Sequence, residues 1–224
     1  MKSWNWMKVF VSALSIGAVA IGVAMPARAQ ELPKVYDASV PRERQIALAL
    51  SAAPAEVSSN ATVYILGPKG YEKVREGSNG FSCYVGRSFV KPTETTVEPT
   101  CFDAQGSRTI LVRRIHMEEL RANGKSEAEI KADIVNGYKE GRFQDPNKPG
   151  FLYMMSSENR LGHSSTSSFP PHLMFYAPGM TAKDMGFDSP PQLEYLGMTN
   201  PGAPDNLIVV VPTASTPPAS PAGR

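Results

Sequence analysis

The sequence predicts a single α+β domain built on an antiparallel or mixed sheet, with a helical hairpin on one face and one disulfide. Three observations lead to this fold class. Short segments rich in β-branched and aromatic residues occur within 62–87 and again within 151–211. Between them, residues 113–141 carry apolar side chains at helical spacing. The chain also contains 2 Cys, which suffice for one disulfide.

The overall composition is that of one ordinary globular domain. The 224 residues are 42% hydrophobic and 20% charged, with 18 Gly and 2 Cys. A collagen-like chain has far more glycine, a disordered chain has fewer apolar residues, and a disulfide-dense miniprotein has more cysteine. Those three classes are excluded, and a chain long enough to bury a core remains.

The first 29 residues are typical of a secretory signal peptide. Lys2 and Lys8 precede the apolar residues 9–24, and the small residues Ala27 and Ala29 mark a cleavage site. We therefore expect Sec-type export to the periplasm or beyond it, with cleavage after Ala29. A transmembrane anchor is the alternative, but the apolar run is shorter than the ~20 residues that a spanning helix needs.

Cleavage would change the charge of the protein. The cleaved segment contains three basic residues and no acidic residue, so the formal net charge of +2 becomes −1. A nearly neutral domain has little electrostatic attraction to a phosphate backbone, so we expect no nucleic-acid partner. We also expect no stable membrane anchor after cleavage.

Cys83 and Cys101 are predicted to form a structural disulfide, because an exported protein enters an oxidising compartment. The bridge would close a loop of about 18 residues, which the chain-entropy model values at roughly 3 kcal/mol. A redox or nucleophilic cysteine is the alternative. The chain has no Cys-x-x-Cys motif, which disfavours that alternative.

The first third of the mature chain is predicted to form a helix and then a β-meander. In the helix, over residues 40–52, Pro41 suits the first turn and Ser39 is a candidate N-cap. Asn79-Gly80 is a typical hairpin turn, since both residues tolerate positive φ. The three strands of the meander are predicted at residues 62–66, 71–75 and 81–87, with a polar connection at 91–99.

The helical hairpin over residues 113–141 has the clearest local signals. Its first helix is expected to end at Gly124, a typical left-handed stop. Ser126 and Glu129 match a capping box that begins the second helix. Apolar side chains then recur every four residues from Ile130.

The last third is predicted to add strands at residues 151–156, 172–176 and 207–211. The final strand is uniformly apolar, which is typical of an interior position in a sheet. Residues 213–224 are rich in Pro, Ala and Ser and are expected to be disordered. The globular domain therefore spans residues 30–212.

No sequence signature identifies an enzyme class. The nucleophile elbow, the P-loop, H-E-x-x-H, the EF-hand loop and G-x-G-x-x-G are all missing from the chain. We therefore favour a non-enzyme and assign no catalytic residue.

Two of the three histidines are candidates for a site. His163 lies in a Ser-rich loop and His172 begins the strand after it. A neutral imidazole is a common metal ligand and general base, and an acid such as Asp188 or Glu194 would complete a site. The alternative for His172 is an ordinary histidine bonded to a backbone carbonyl. His116 is expected on a solvated helix face.

The long loop at 158–171 is a candidate lid or recognition element. Its hydroxyl groups and one aromatic ring would suit a small polar ligand or a glycan, and a mobile tether without a ligand is the alternative. Tyr176 shares a strand face with His172. The ligand-binding candidates are His163, Phe169, His172 and Tyr176.

A bound metal is a further alternative for this region. Six of the 10 Met lie between residues 154 and 198, and thioether and imidazole ligands together suit copper outside the cytoplasm. The candidate ligands for zinc or copper are His163, His172 and Glu194. Methionine more often fills irregular gaps in a core, so we expect no cofactor.

Four segments together resemble uncharacterised exported bacterial proteins. They are Asn79-Gly80-Phe81-x-Cys83, Pro99-x-Cys101-x-Asp103, Tyr153-Met154-Met155-Ser156 and Pro171-His172-Leu173-Met174-Phe175-Tyr176-Ala177-Pro178. The resemblance spans most of the mature chain. It implies export by a bacterium and leaves the activity open.

We expect an exported, non-catalytic accessory protein of the cell envelope that binds a small ligand or an envelope protein. A metal-assisted hydrolase using His163 and His172, and a purely structural envelope protein, are the alternatives. The hydrolase needs both imidazoles and a carboxylate in one cleft. Ligand binding needs a concave, partly apolar pocket beside residues 158–171, whereas a structural protein would be flat there.

Overall fold

The computed structural model describes residues 36–87, 96–160 and 169–212, all within Leu32–Arg224, the second of the two units of the chain. The expected signal peptide, the candidate His163 and the Pro-rich C-terminal segment lie outside the described residues. In the described part of the chain, no helix has the length and apolar character needed to cross a membrane.

The described residues form five α-helices and nine strands. The helices are α1 (Arg42–Leu50), α2 (Ala55–Ser58), α3 (Ala104–Arg108), α4 (Ile110–Ala122) and α5 (Glu127–Lys139). The strands are β1 (Thr62–Gly67), β2 (Gly70–Arg75), β3 (Ser82–Gly86), β4 (Glu98–Phe102), β5 (Phe151–Met154), β6 (His172–Tyr176), β7 (Gln192–Leu193), β8 (Leu196–Met198) and β9 (Leu207–Val210).

All of these strands belong to one mixed sheet, in the order β2-β1-β3-β4-β5-β6-β9-β8-β7. Every neighbouring pair is antiparallel except β1 and β3, which are parallel. The predicted α+β class with a mixed sheet is therefore confirmed. β9 pairs with β6 on one side and β8 on the other, as its apolar sequence predicted.

The prediction of a β-meander is wrong, because β2 and β3 lie on opposite sides of β1. The chain crosses over the start of β1 at Gly77, where an added Cβ would lie 2.2 Å from the Thr62 nitrogen. Asn79 and Gly80 turn the chain within this crossover, and Gly80 has φ of +79°. The dipeptide thus predicted a turn correctly. It did not determine which strands pair, because strand pairing depends on contacts outside the turn.

Strand β4 replaces the end of the predicted polar connection. It pairs antiparallel with β3, and this register sets Cys83 opposite Cys101. The two cysteines form the predicted disulfide, which is fully buried. Glu98 and Pro99 are poor strand formers, so sequence alone concealed the start of β4. The β7–β8 hairpin was missed in the Gly- and Pro-rich stretch for the same reason.

Helix α1 packs on β1, β3 and β4, on the sheet face that carries the disulfide. Pro41 is its N-cap residue and so lies just before the first turn, in which the sequence placed it. Ser39 does not cap the helix, because its N–H and hydroxyl both donate to Asp37. Buried Gln45 ties the helix to the sheet through its side-chain oxygen, which accepts from the backbone N–H of Leu66 at 2.7 Å.

The two predicted helices of the hairpin form as α4 and α5. Gly124, which follows the end of α4, has the predicted left-handed conformation, with φ of +77°. Ser126 and Glu129 form the predicted capping box at the start of α5. Helix α4 packs against β2, and α5 packs against α4. The pair therefore touches the sheet along α4, while α5 lies across a cavity from it.

Two contacts hold α4 against the sheet, one at the β1–β2 turn and one just after β3. The β1–β2 turn approaches the helix backbone so closely that a Cβ on Gly70 would lie 3.0 Å from the Glu119 nitrogen. The carboxylate of Glu118 is buried and accepts hydrogen bonds from Arg87 and Arg121. A buried carboxylate needs such cationic partners, since burial without them costs several kcal/mol.

Asp103 joins the end of β4 to the helical part of the chain. Its Oδ1 accepts from the backbone N–H groups of Gln105 and Gly106 at 3.1 and 2.8 Å, and caps α3. The same oxygen accepts from the Tyr176 hydroxyl at 2.9 Å, and Oδ2 accepts from the N–H of Phe151 at 3.2 Å. One side chain thus connects β4, α3, β5 and β6.

Replacement of Asp103 by Ala should therefore lower the free energy of unfolding by about 2–4 kcal/mol, because four donors lose an anionic acceptor. Chemical denaturation with the disulfide intact measures this change. Asp184→Ala is the matched control, since exposed Asp184 accepts hydrogen bonds from the N–H and the hydroxyl of Thr181, and its replacement should cost about 1 kcal/mol or less. Equal losses in the two variants would contradict the assignment.

Candidate functional site

A cavity of about 810 Å³ lies between the sheet and the helical hairpin. The strands contribute one wall and the helices α4 and α5 the other. The strand wall includes Thr100, Leu152, Met154, His172, Met174 and Val209, and the helix wall includes Ile110, Met117, Ile130 and Ile134. Most of these side chains are apolar, so the cavity suits an apolar molecule or portion of a molecule.

The alternation of the strands selects which side chains face the cavity. Leu152 pairs with Met174 and Met154 pairs with His172 across β5 and β6, and all four line it. Their neighbours Phe151 and Phe175 pair on the opposite face, where their rings are 6.1 Å apart. The apolar face of α5 that the sequence predicted from Ile130 lines the cavity instead of packing directly on the sheet.

The two arginines of α4 in the helix wall have acidic partners. Arg113 pairs with Asp205 at 3.1 Å, and it also donates to the Tyr138 hydroxyl at 3.1 Å. Arg114 lies 4.0 Å from Glu98 and donates to the Tyr84 hydroxyl. Burial raises the pKa of Glu98, although Arg114 acts in the opposite direction. The positive charges of Arg113 and Arg114 are thus largely compensated.

His172 is fully buried in the strand wall. Its Nδ1 lies 2.8 Å from the backbone oxygen of Pro170. A carbonyl oxygen only accepts hydrogen bonds, so Nδ1 carries the proton and Nε2 of the neutral ring is an acceptor. Burial lowers the pKa of His172, which favours this neutral form.

Asn159 lies beside His172 in the cavity wall. Its amide nitrogen donates to the backbone oxygen of Met154, the register partner of His172. The backbone oxygen of Asn159 accepts from the N–H of Phe169, whose ring contacts the His172 ring at 4.5 Å. Arg160, which follows Asn159, forms an antiparallel bridge with Val97, and this bridge holds the segment next to β4.

Buried polar atoms without a partner concentrate in this cavity. Among the described residues, four buried side-chain nitrogen or oxygen atoms have no hydrogen bond. Three of them belong to residues of the cavity wall, namely Nε2 of His172, Oδ1 of Asn159 and Nε of Arg113. Buried polar groups in native proteins are nearly always paired, so these three atoms are exceptions in the cavity wall.

Only some of the sequence-predicted site residues lie at the cavity. His172 and Phe169 line the cavity. Tyr176 does not, because its hydroxyl donates to Asp103 and to the backbone oxygen of Phe151. Burial, together with the Asp103 carboxylate, raises the pKa of Tyr176, so it remains a neutral structural hydrogen-bond donor. His163 lies outside the described residues.

The acids proposed to complete a metal or catalytic site are elsewhere. Glu194 is exposed in the β7–β8 turn, and Asp188 is exposed in the loop before β7. Neither lines the cavity around His172. Within the described ranges, no group of three or more His, Cys, Asp or Glu side chains is placed to hold a metal ion.

His116 lies in the helical hairpin, away from the cavity wall. Its Nε2 is 2.8 Å from Asp133 of α5, and its ring packs on Phe143 at 5.5 Å. The expected solvated helix face is therefore also a contact between the two helices. This placement gives His116 a structural explanation that the sequence did not supply.

Sequence reasoning missed two of the polar residues in the cavity. Asn159 belongs to no periodic segment or motif, and Arg113 resembles an ordinary solvated helix residue. No local pattern distinguishes either residue from a surface side chain. Their importance arises from folding, because the cavity assembles residues from β4, β6, α4 and the segment after β5.

Comparison of the chain with protein-family models, with curated proteins and with solved structures found no match.

The burial of neutral His172 predicts a pH dependence of stability. The pKa of this group is about 6.5 in the unfolded chain and lower in the folded protein, so unfolding takes up a proton below about pH 6.5. The free energy of unfolding should therefore fall between pH 7.5 and pH 5.5, with a slope from this group of at most about 1.4 kcal/mol per pH unit.

Chemical denaturation of wild type and His172→Asn across this pH range measures that contribution. The asparagine side chain does not titrate, so the variant should lose this part of the slope while keeping the contributions of the carboxylates. Identical slopes for the two proteins would show that His172 titrates normally in the folded state.

Proposed function

We propose that this protein is an exported, soluble binding protein of the cell envelope that holds a small amphipathic molecule between its sheet and its helical hairpin. The observation that carries the proposal is the cavity of about 810 Å³, which combines apolar walls with buried, unpaired polar atoms. Small-molecule sites typically occupy about 300–1,000 Å³ and combine apolar walls with a few placed polar groups.

The position of the cavity supports a binding role for the long loop. Asn159 and Arg160, at the start of residues 158–171, and Phe169, near their end, all line the cavity. Loops beside a rigid scaffold commonly carry recognition residues. A flat surface at this place would have favoured the purely structural alternative.

The export part of the proposal is supported by the sequence of residues 1–29 and is compatible with the buried disulfide. A disulfide persists most readily in an oxidising compartment. The near-neutral charge expected after cleavage supports a small-molecule or protein partner in preference to nucleic acid.

Occupation of the cavity can be tested with the neutral fluorescent dye N-phenyl-1-naphthylamine, whose emission increases in apolar surroundings. Met174→Glu introduces a carboxylate into the strand wall, so dye binding would have to desolvate a charge. We expect the dye affinity to fall at least about tenfold. Titration of the dye into protein purified from the periplasm of a bacterial host measures this effect.

Phe175→Glu is the matched control, because Phe175 follows Met174 on the same strand but is on the opposite face and 39% exposed. It should change the dye affinity less than about twofold, since the new charge remains hydrated. Thermal unfolding verifies that both variants fold. Loss of binding in the Phe175 variant instead would locate the dye on the other face and overturn the proposal.

Export can be tested by mass spectrometry of the protein recovered from the periplasm. We expect a mass that lacks residues 1–29, because small residues precede the cleavage site. Ala29→Tyr should leave the segment attached, since a bulky side chain blocks cleavage. Wild-type protein that remains uncleaved in the membrane fraction would contradict this part of the proposal.

A further inference from the structure

We propose that the ligand is a neutral amphipathic molecule that donates a hydrogen bond, from a hydroxyl or an amide N–H, to Nε2 of His172 or to Oδ1 of Asn159. This inference deepens the proposed binding function and rests on it. It concerns the chemistry of the ligand head group, whereas the proposed function concerns whether the cavity holds a ligand at all.

The two unpaired atoms of His172 and Asn159 are both hydrogen-bond acceptors. Nδ1 of His172 donates to Pro170, which leaves Nε2 as an acceptor. The Asn159 amide nitrogen donates to the Met154 carbonyl, which fixes the orientation of the amide and leaves Oδ1 as an acceptor. Both atoms therefore need a donor.

Both acceptors belong to buried residues of the cavity wall. The residues carrying these acceptors are 0% and 1% exposed. They are connected through Met154, which pairs with His172 and bonds to Asn159, and through Phe169, which contacts both. The two acceptors therefore belong to one part of the cavity wall, and this is the part that the proposed head group would have to enter.

Two buried acceptors disfavour other head groups. An ionised carboxylate has acceptors only and would place a negative charge beside two more acceptors. An ether or a hydrocarbon would leave both buried acceptors unpaired, which is costly. A hydroxyl or an amide N–H satisfies at least one of them and adds no charge.

The helix wall is compatible with the same ligand class. The charge of Arg113 is balanced by Asp205, so this residue does not require an anionic ligand. Its unpaired Nε can donate to an uncharged oxygen of the ligand. The apolar part of the molecule would lie along Leu152, Met174 and Ile134.

The test compares three probes of similar size that displace the naphthylamine dye at pH 7.5. The probes are 1-octanol, its isomer heptyl methyl ether, and octanoate. We expect octanol to bind at least about tenfold more tightly than the ether, because only octanol can pair a buried acceptor. Octanol should likewise bind more tightly than octanoate.

Two variants and one control connect the preference to the named atoms. His172→Phe and Asn159→Leu each remove one acceptor, and the variant that removes the acceptor of the octanol hydroxyl should reduce the preference for octanol over the ether severalfold. Phe175→Leu changes the opposite face of the same strand without altering a polar atom and should retain the full preference. If His172→Phe fails to fold, the wild-type comparison and the Asn159 variant still decide the matter.

Several results would overturn the inference. Equal affinity for octanol and the ether would mean that water satisfies the acceptors. Tighter binding of octanoate would mean that Arg113 governs recognition. A preference unchanged in both variants would place its origin elsewhere. In each of these cases dye binding persists and the proposed function survives, whereas a wild-type protein that binds neither dye nor probe refutes the proposed function itself.

Discussion

The carboxylate of Asp103 is the constraint on which the arrangement of this domain depends. It stands where the chain leaves β4, and it is bonded to the start of α3, the start of β5 and the end of β6. The fit around it is close, since a Cβ on Gly106 would lie 2.1 Å from the Tyr176 hydroxyl oxygen. The chain must therefore turn at this point, and that turn directs α3 and α4 away from the strand end.

The cavity follows from how the hairpin meets the sheet. Helix α4 is held at β2 by the close approach of Gly70 and at the end of β3 by the pairing of Glu118 with Arg87, whereas α5 packs on α4. The apolar side chains of α5 thus remain across a gap from β5, β6 and β9. A domain that leaves such a volume forgoes packing contacts, and a ligand can restore them.

The position of His172 in the cavity wall accounts for its incomplete hydrogen bonding. A histidine buried among apolar side chains loses hydration, and only one of its nitrogens recovers a hydrogen bond within the described structure. Asn159 presents a second acceptor in the same condition. An unpaired buried acceptor lowers the stability of a protein without its ligand. In a binding site, the same acceptor favours ligands whose head group donates a hydrogen bond.

By itself, the sequence determined the features that depend on neighbouring residues. The α+β class, the capping box at Ser126, the left-handed stop at Gly124 and strand β6 follow from local periodicity and turn chemistry, and the disulfide follows from there being 2 Cys in a chain with an export signature. Only the tertiary structure decided the parallel pairing of β1 with β3, the existence of β4, and the union of His172 with Asn159 in one cavity wall. These depend on contacts between residues distant in the chain, and no local pattern encodes such contacts because their energies arise only when the domain has folded.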